Sequence, residues 1–241
     1  MIRVQDQPAF VLHQRPYRET SMLLEVMTRD QGRVGLIARG MRSARPRHAR
    51  GLLSPFVALR LGYSGRGELL TLTGAEPAGA PTLLVGRTLM SGLYVNELLV
   101  RLLQRHDPHP ELLGRYALLL EELAGGAEPG WALRRFERDL LDAMGVGLPW
   151  DSTAEGEACE PGQRYRLDAE TGPLPASQQL ADSVSGAALL ALAADRQPGP
   201  TELGELRRGL RRVLQSHLGA TPLRSWGLLD ELAKVKPRDQ G

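Results

Sequence analysis

A single cysteine, Cys159, excludes an internal disulfide framework and any site built from two or more thiolates, and suits a reducing compartment. No apolar run approaches the roughly 18 residues that span a bilayer, and the opening MIRVQDQPAF lacks the apolar centre of a signal segment. The expectation is a soluble cytoplasmic protein. No repeat with a period of roughly 20 to 50 residues occurs, which excludes a solenoid. Nucleotide and nucleophile fingerprints are missing too. Gly62, Gly65 and Gly67 lead into a strand rather than a helix, with no Gly-Lys-Ser/Thr, so a hairpin turn explains them.

The polar clusters that remain are poor catalytic candidates. His106, Asp107, His109 and Glu111 are interleaved with Pro108 and Pro110, so they lie on an extended turn between helices rather than on one helical face. Cys159 stands between Glu157 and Glu160, whose charges disfavour a thiolate. Asp151, Glu155, Glu157 and Glu160 are the only dense carboxylates, and their proline-bounded setting suits a divalent metal badly. The residues predict a binding protein that performs no covalent chemistry and needs neither metal nor cofactor.

What is present is a 241-residue chain, 42% hydrophobic and 24% charged, able to bury a core. Its net charge of +2 hides an uneven distribution. Residues 1–80 carry +6, 81–150 carry −2, 151–200 carry −5 and 201–241 carry +3.

From Pro8 to Glu76 the apolar residues come in short runs separated by turns, the rhythm of a small β unit. Five strands are predicted: Ala9 to His13, Ser21 to Thr28, Arg33 to Ala38, Phe56 to Tyr63 and Glu68 to Thr73. Arg29 to Gly32 and Ser64 to Gly67 read as hairpin turns. Five strands with one long connection fit a Greek-key barrel of the OB-fold kind better than an open sheet. After Pro81 the period becomes helical. Stripes occur at Leu89, Leu93, Asn96 or Glu97, Leu99 and Leu103, then at Leu112, Tyr116, Leu119, Leu120 and Leu123, and then at Leu133, Phe136, Leu140, Leu141 and Met144. An irregular acidic insertion at about 149–182 holds one candidate hairpin, Arg164 to Pro175. Helical spacing returns at Val184 to Ala194, at Leu203 to Leu218 with Thr201 and Glu205 near a capping arrangement, and at Leu228, Leu229 and Leu232 behind Pro222. The predicted class is α+β: a five-stranded OB-fold domain over 1–80 and a mainly helical domain over 81–241.

Three basic features stand out. The long connection carries Arg39, Arg42, Arg45, Arg47 and Arg50, with His48 and no acid, and so offers exposed guanidinium groups to a phosphate backbone. These five arginines are the main nucleic-acid candidates; the competing reading is a solvated loop that guards a barrel edge. Arg208, Arg211 and Arg212 share a helical face, as a second nucleic-acid contact or as an ordinary amphipathic surface. Trp131, Leu133, Arg134, Arg135 and Phe136 mix cations and rings as a pocket for an acidic peptide does, or as a core stripe flanked by paired arginines does.

The blocks AFVLHQRPYRETSMLLEVMTRDQGRVGLIARGMRS, SGLYVNELLVRLL at 91–103, ALRRFERDLLDAMGVG at 132–147 and PLRSW at 222–226 resemble the RecO family of bacterial recombination mediators. The resemblance implies an N-terminal OB-fold, a helical domain, and a role in DNA repair and homologous recombination by the RecF pathway. It implies binding of single- and double-stranded DNA, annealing of complementary strands coated by single-strand binding protein (SSB), and loading of RecA together with RecR, without nucleotide and in the nucleoid of the cytoplasm. Under it, the arginines from Arg39 to Arg50 match the basic barrel surface. Arg134, Arg135 and Phe136 match the region that receives the SSB C-terminal tail, with Leu98, Leu99 and Leu102 as further lining. One departure is plain: many members carry a four-cysteine zinc module where this chain has only Cys159. The alternative function is a simple single-strand nucleic-acid-binding scaffold that remodels nothing.

Overall fold

The computed structural model describes residues 1–41, 51–126, 128–177 and 182–228. They form two compact units. The first comprises Met1–Gly126 with the described segment from Leu223, and the second runs to Pro222. Each is built around its own core.

The first unit starts with five strands: β1 (Ile2–Tyr17), β2 (Ser21–Thr28), β3 (Gly32–Ala38), β4 (Ala58–Gly65) and β5 (Leu69–Pro77). Antiparallel pairs β1·β2, β2·β3, β4·β5 and β1·β4, with β3 and β5 parallel, close the barrel in the order β1-β2-β3-β5-β4. This is the OB-fold. Period-two side chains fill it: Val11, Leu24, Val26, Val34, Leu36, Leu59, Leu61, Tyr63 and Leu70 form the interior. β2 begins and ends where the sequence predicts. β1 starts seven residues earlier than predicted, because Ile2 to Gln7 join β4 through backbone pairing around a register shift and show no apolar alternation.

Two helices, α1 (Gly86–Leu102) and α2 (Pro110–Ala124), belong to the same unit, so its packing extends past residue 80. The stripe predicted for α2 is buried throughout. Of the stripe predicted for α1, Asn96, Leu99 and Leu103 are buried and Leu89 is half-buried, but Leu93 is 38% exposed; Ser91, Gly92, Tyr94, Val95 and Leu98 complete the buried face. Small residues decide this. A Cβ on Gly92 would come within 2.7 Å of Leu84 and 2.8 Å of the Phe56 ring, so only glycine lets the helix seat so closely. The outer face of β1 and β2 is sealed by these helices. Phe10 meets Tyr116 edge to face at 5.1 Å, and the Asn96 amide donates to the Leu12 carbonyl at 2.9 Å while accepting from the Tyr116 hydroxyl at 2.6 Å.

Residues 224–228 form a helical turn whose first donors find a partner on α1. The Arg224 and Ser225 amides, each at 2.9 Å, and the Ser225 hydroxyl at 2.6 Å all donate to the Glu97 carboxylate. Pro222 precedes this turn; Leu229 and Leu232 lie outside the described residues. Burial pushes the Glu97 carboxyl upward, but the Ser225 and Arg224 hydrogen bonds and the nearby Arg101 charge outweigh it and hold the group below its ordinary 4.5. A carboxyl depressed on folding contributes stability above its unfolded value and loses it as pH falls through the lower folded one. Thermal melts taken from about pH 7 to pH 3 should therefore show the parent losing stability on acidification, and Glu97→Gln starting lower at neutral pH with a shallower acid decline. Parallel profiles for the two would remove Glu97 from the account.

The second unit contains α3 (Pro129–Ala143), a sheet of β6 (Arg164–Asp168), β7 (Gly172–Ala176) and β8 (Val184–Ser185) in the order β7-β6-β8, then α4 (Gly186–Ala193) and α5 (Pro200–Leu218). The hairpin predicted within the acidic stretch is β6–β7. Glu205 does not cap α5, whose first turn is set by Gly199 and Pro200. It is buried instead, accepting from Arg164, from the Ser185 amide at 3.0 Å and from the Ser185 hydroxyl at 2.7 Å, while that hydroxyl accepts from Ala188 to cap α4.

Candidate nucleic-acid interface

OB barrels commonly present the face of strands 2 and 3 to nucleic acid. In this chain that face is taken. Leu23 and Met27 are buried, and Glu25 accepts from Arg33 at 2.7 Å and from Arg105. Arg33 also donates through Nε to the Leu103 carbonyl at 3.1 Å, and the His106 amide donates to the Arg33 carbonyl at 3.0 Å. The segment after α1 thus lies along β3 so closely that a Cβ on Gly32, at φ +63°, would sit 2.1 Å from the Asp107 carbonyl oxygen. The residues His106 to His109, a helix connection by their sequence, are this covering segment.

The arginine-bearing connection leaves the barrel at the end of β3. Arg39 is exposed one residue past Ala38, the last residue of β3. Arg42, Arg45, Arg47 and Arg50 lie outside the described residues. On either side of them Met41, Leu52 and Leu53 pack on the barrel core, so both ends of the arginine-bearing connection are anchored there by apolar contact. Sequence reasoning misses this anchoring. The apolar residues at each end of the connection are its only signal.

In the second unit, the consecutive arginines of α3 divide by helical phase. Arg134 is only 6% exposed and donates to Glu137, itself 1% exposed; Phe136 is core. Arg135 lies over the Trp131 ring at 5.9 Å and 3.8 Å from Asp195, and Arg138 donates to the Leu192 carbonyl at 2.7 Å and to Asp195 at 3.3 Å. Arg138 and Asp195 are not anticipated from sequence. Leu98 and Leu99 are core residues of the first unit and Leu102 is half-buried there. Of the residues nominated for the SSB tail, then, only Arg135 presents its charge beside a partly exposed ring. On α5, Arg208 is exposed, Arg211 half-buried, and Arg212 is paired with Asp182.

The zinc module of many RecO-like chains does not fit the residues present. Cys159 is the sole thiol, it is buried, burial together with the nearby Asp151 charge pushes it up against the lowering hydrogen bond from Tyr165, and its amide donates to the Asp151 carbonyl at 2.7 Å. Backbone hydrogen bonds of this kind, with Thr153 to Glu157 at 2.8 Å, hold the segment instead.

A closed OB barrel carrying helices and followed by a second α+β unit is an architecture of a class that many nucleic-acid-binding proteins share. The family descriptions "Recombination protein O N terminal" and "Recombination protein O C terminal" match residues 1–81 and 85–227, and the chain belongs to the RecO family. It is 44% identical over 237 residues to a protein of Stenotrophomonas maltophilia strain K279a, covering 95% of this chain and 98% of that one. It is 43% identical over 236 residues to a protein of Xanthomonas campestris pv. campestris strain B100, covering 96% and 98%. Both relatives carry the name DNA repair protein RecO. Membership places the chain in DNA repair and recombination. No helix among the described residues is long and apolar enough to cross a membrane.

Proposed function

We propose that the chain is a strand-handling mediator that binds single- and double-stranded DNA through the arginines at 39–50, anneals complementary strands coated by SSB, and works with RecR in loading RecA. One observation carries the reading: five arginines without a carboxylate, on a connection anchored at both ends to a barrel whose usual ligand face is closed by its own chain. Guanidinium groups so held neutralise phosphates and release counterions, which lets two strands approach and pair. Base pairing supplies the free energy, so no nucleotide is consumed. Contacts to backbone and stacked bases carry little sequence information. The Trp131–Arg135 patch, with the buried Arg134–Glu137 pair behind it, is the proposed seat of the SSB tail, an acidic peptide whose docking would raise the local concentration of the barrel beside the coated strand. Arg208, Arg211 and Arg212 are a proposed second DNA contact.

The test is annealing of complementary strands coated with SSB or with SSB lacking its tail. Annealing should proceed on the first and fall sharply on the second. Equal rates would exclude the tail as tether, and DNA binding without annealing would favour a passive single-strand scaffold.

A further inference from the structure

β1 pairs with β4 only as far as Phe10, opposite Ala58, and with β2 as far as Tyr17, opposite Ser21. Beyond Phe10 it is therefore an edge strand, and its last turn with β2 forms a hairpin tip. His13, Gln14, Arg15 and Pro16 are exposed in succession, as are Arg18, Glu19 and Thr20, while Tyr17 is half-buried. Glu19 is the only carboxylate on this tip. Pro16 is opposite Met22, and Met22 is opposite Ala38, so Arg39 leaves the barrel at the same end, two strand spacings or about 10 Å across.

The Arg18 guanidinium lies over the Tyr17 ring at 5.2 Å. Arg18 holds a positive φ of 52°, a conformation that glycine or asparagine adopts at less cost. What neither could supply is a cation laid on the ring.

We infer that Arg15, Tyr17 and Arg18, with Arg39, form a stacking subsite for an unpaired nucleotide. This rests on the nucleic-acid reading above and specifies which form of the polymer the tip takes. An aromatic ring flanked by guanidinium groups recognises a base by its π-face and the adjoining phosphates by charge. Every base of a single strand offers that face. Inside a duplex both faces are covered by neighbouring pairs, so only the arginines' phosphate contacts would remain. The tip thus discriminates single strands from duplex at the barrel end where the arginine connection begins, and holds a base splayed where a complementary strand can meet it.

The experiment is equilibrium binding of labelled oligothymidylate and of a duplex of equal length to the full chain. Tyr17→Ala should weaken single-strand binding about fivefold or more, with duplex binding changed less than about twofold, and Tyr17→Trp should retain it. Arg18→Gly removes the ring's cation while relieving the backbone, so it should weaken single-strand binding with an undiminished melting temperature; this variant keeps the test informative if Tyr17→Ala folds poorly. Parallel losses for both polymers, or no loss in either variant, would overturn the subsite while leaving the parent reading intact. If the unaltered chain bound neither polymer, the parent reading would fail first and the subsite with it.

Discussion

Changing Arg42, Arg45 and Arg47 together to alanine should weaken single-strand and duplex DNA binding alike and flatten the dependence of log affinity on log salt. Each phosphate that is no longer neutralised takes roughly 0.7 from the slope for single strands and roughly 0.9 for duplex, so three such phosphates take up to roughly 2 and 2.7. Anisotropy titrations across a salt series measure both. A melting temperature taken for the same variant separates loss of DNA contact from loss of fold, the described anchors of the connection being Met41, Leu52 and Leu53. An unchanged slope would mean that the groups meet solvent only. The contrast with the hairpin tip is diagnostic: arginines on phosphates affect both polymers, whereas a stacking ring affects one.

Asn96→Ala should be among the most destabilising single changes in the first unit. Its amide donates to the Leu12 carbonyl, its side-chain oxygen accepts from the Tyr116 hydroxyl, and all three residues are buried. Burial pushes the Tyr116 phenol far above its ordinary 10.0, so the hydroxyl stays a donor at all working pH values. Truncation removes both hydrogen bonds from a buried setting, about 1–3 kcal/mol each, which lowers the melting midpoint on the order of 10 °C. Tyr116→Phe removes one of these bonds and should cost less, and because both changes act on one network the double variant should fall short of their sum. Calorimetry of the three variants checks this; a midpoint for Asn96→Ala within a degree or two of the parent, about the effect of a surface change, would refute it.

The barrel is legible because a half-buried strand writes its period of two into the sequence, as in Leu59, Leu61 and Tyr63 of β4, and because α2 places its leucines on one face. The face of α1 is legible at Asn96, Leu99 and Leu103 but not at Leu93. Leu93 and Tyr94 are both apolar neighbours, and the choice between them is made by what Ser91 and Gly92 permit across the contact. Arg134 and Arg135 pose the same difficulty, since only the core on one side and Glu137 one turn on reveal which of them is paired inside. Glu205 and Glu97 serve partners distant in sequence, Arg164 and Ser225, so no local spacing announces them. Of the candidate site, the arginine connection is plain from composition. Tyr17 and Arg18 are easily overlooked, although Arg-Pro-Tyr-Arg between two strand runs is the available signal.

Because the chain leaves the first unit after Gly126 and re-enters it at Leu223, the second unit is an insertion rather than an appendage. Leu223 and Trp226 are buried, and Ser225 bonds to Glu97, so the first unit's architecture is completed by residues made nearly a hundred positions after its own helices. During synthesis the barrel and its two helices emerge with Glu97 still lacking its donors, and the unit closes only when ribosomal elongation has delivered the intervening lobe in full.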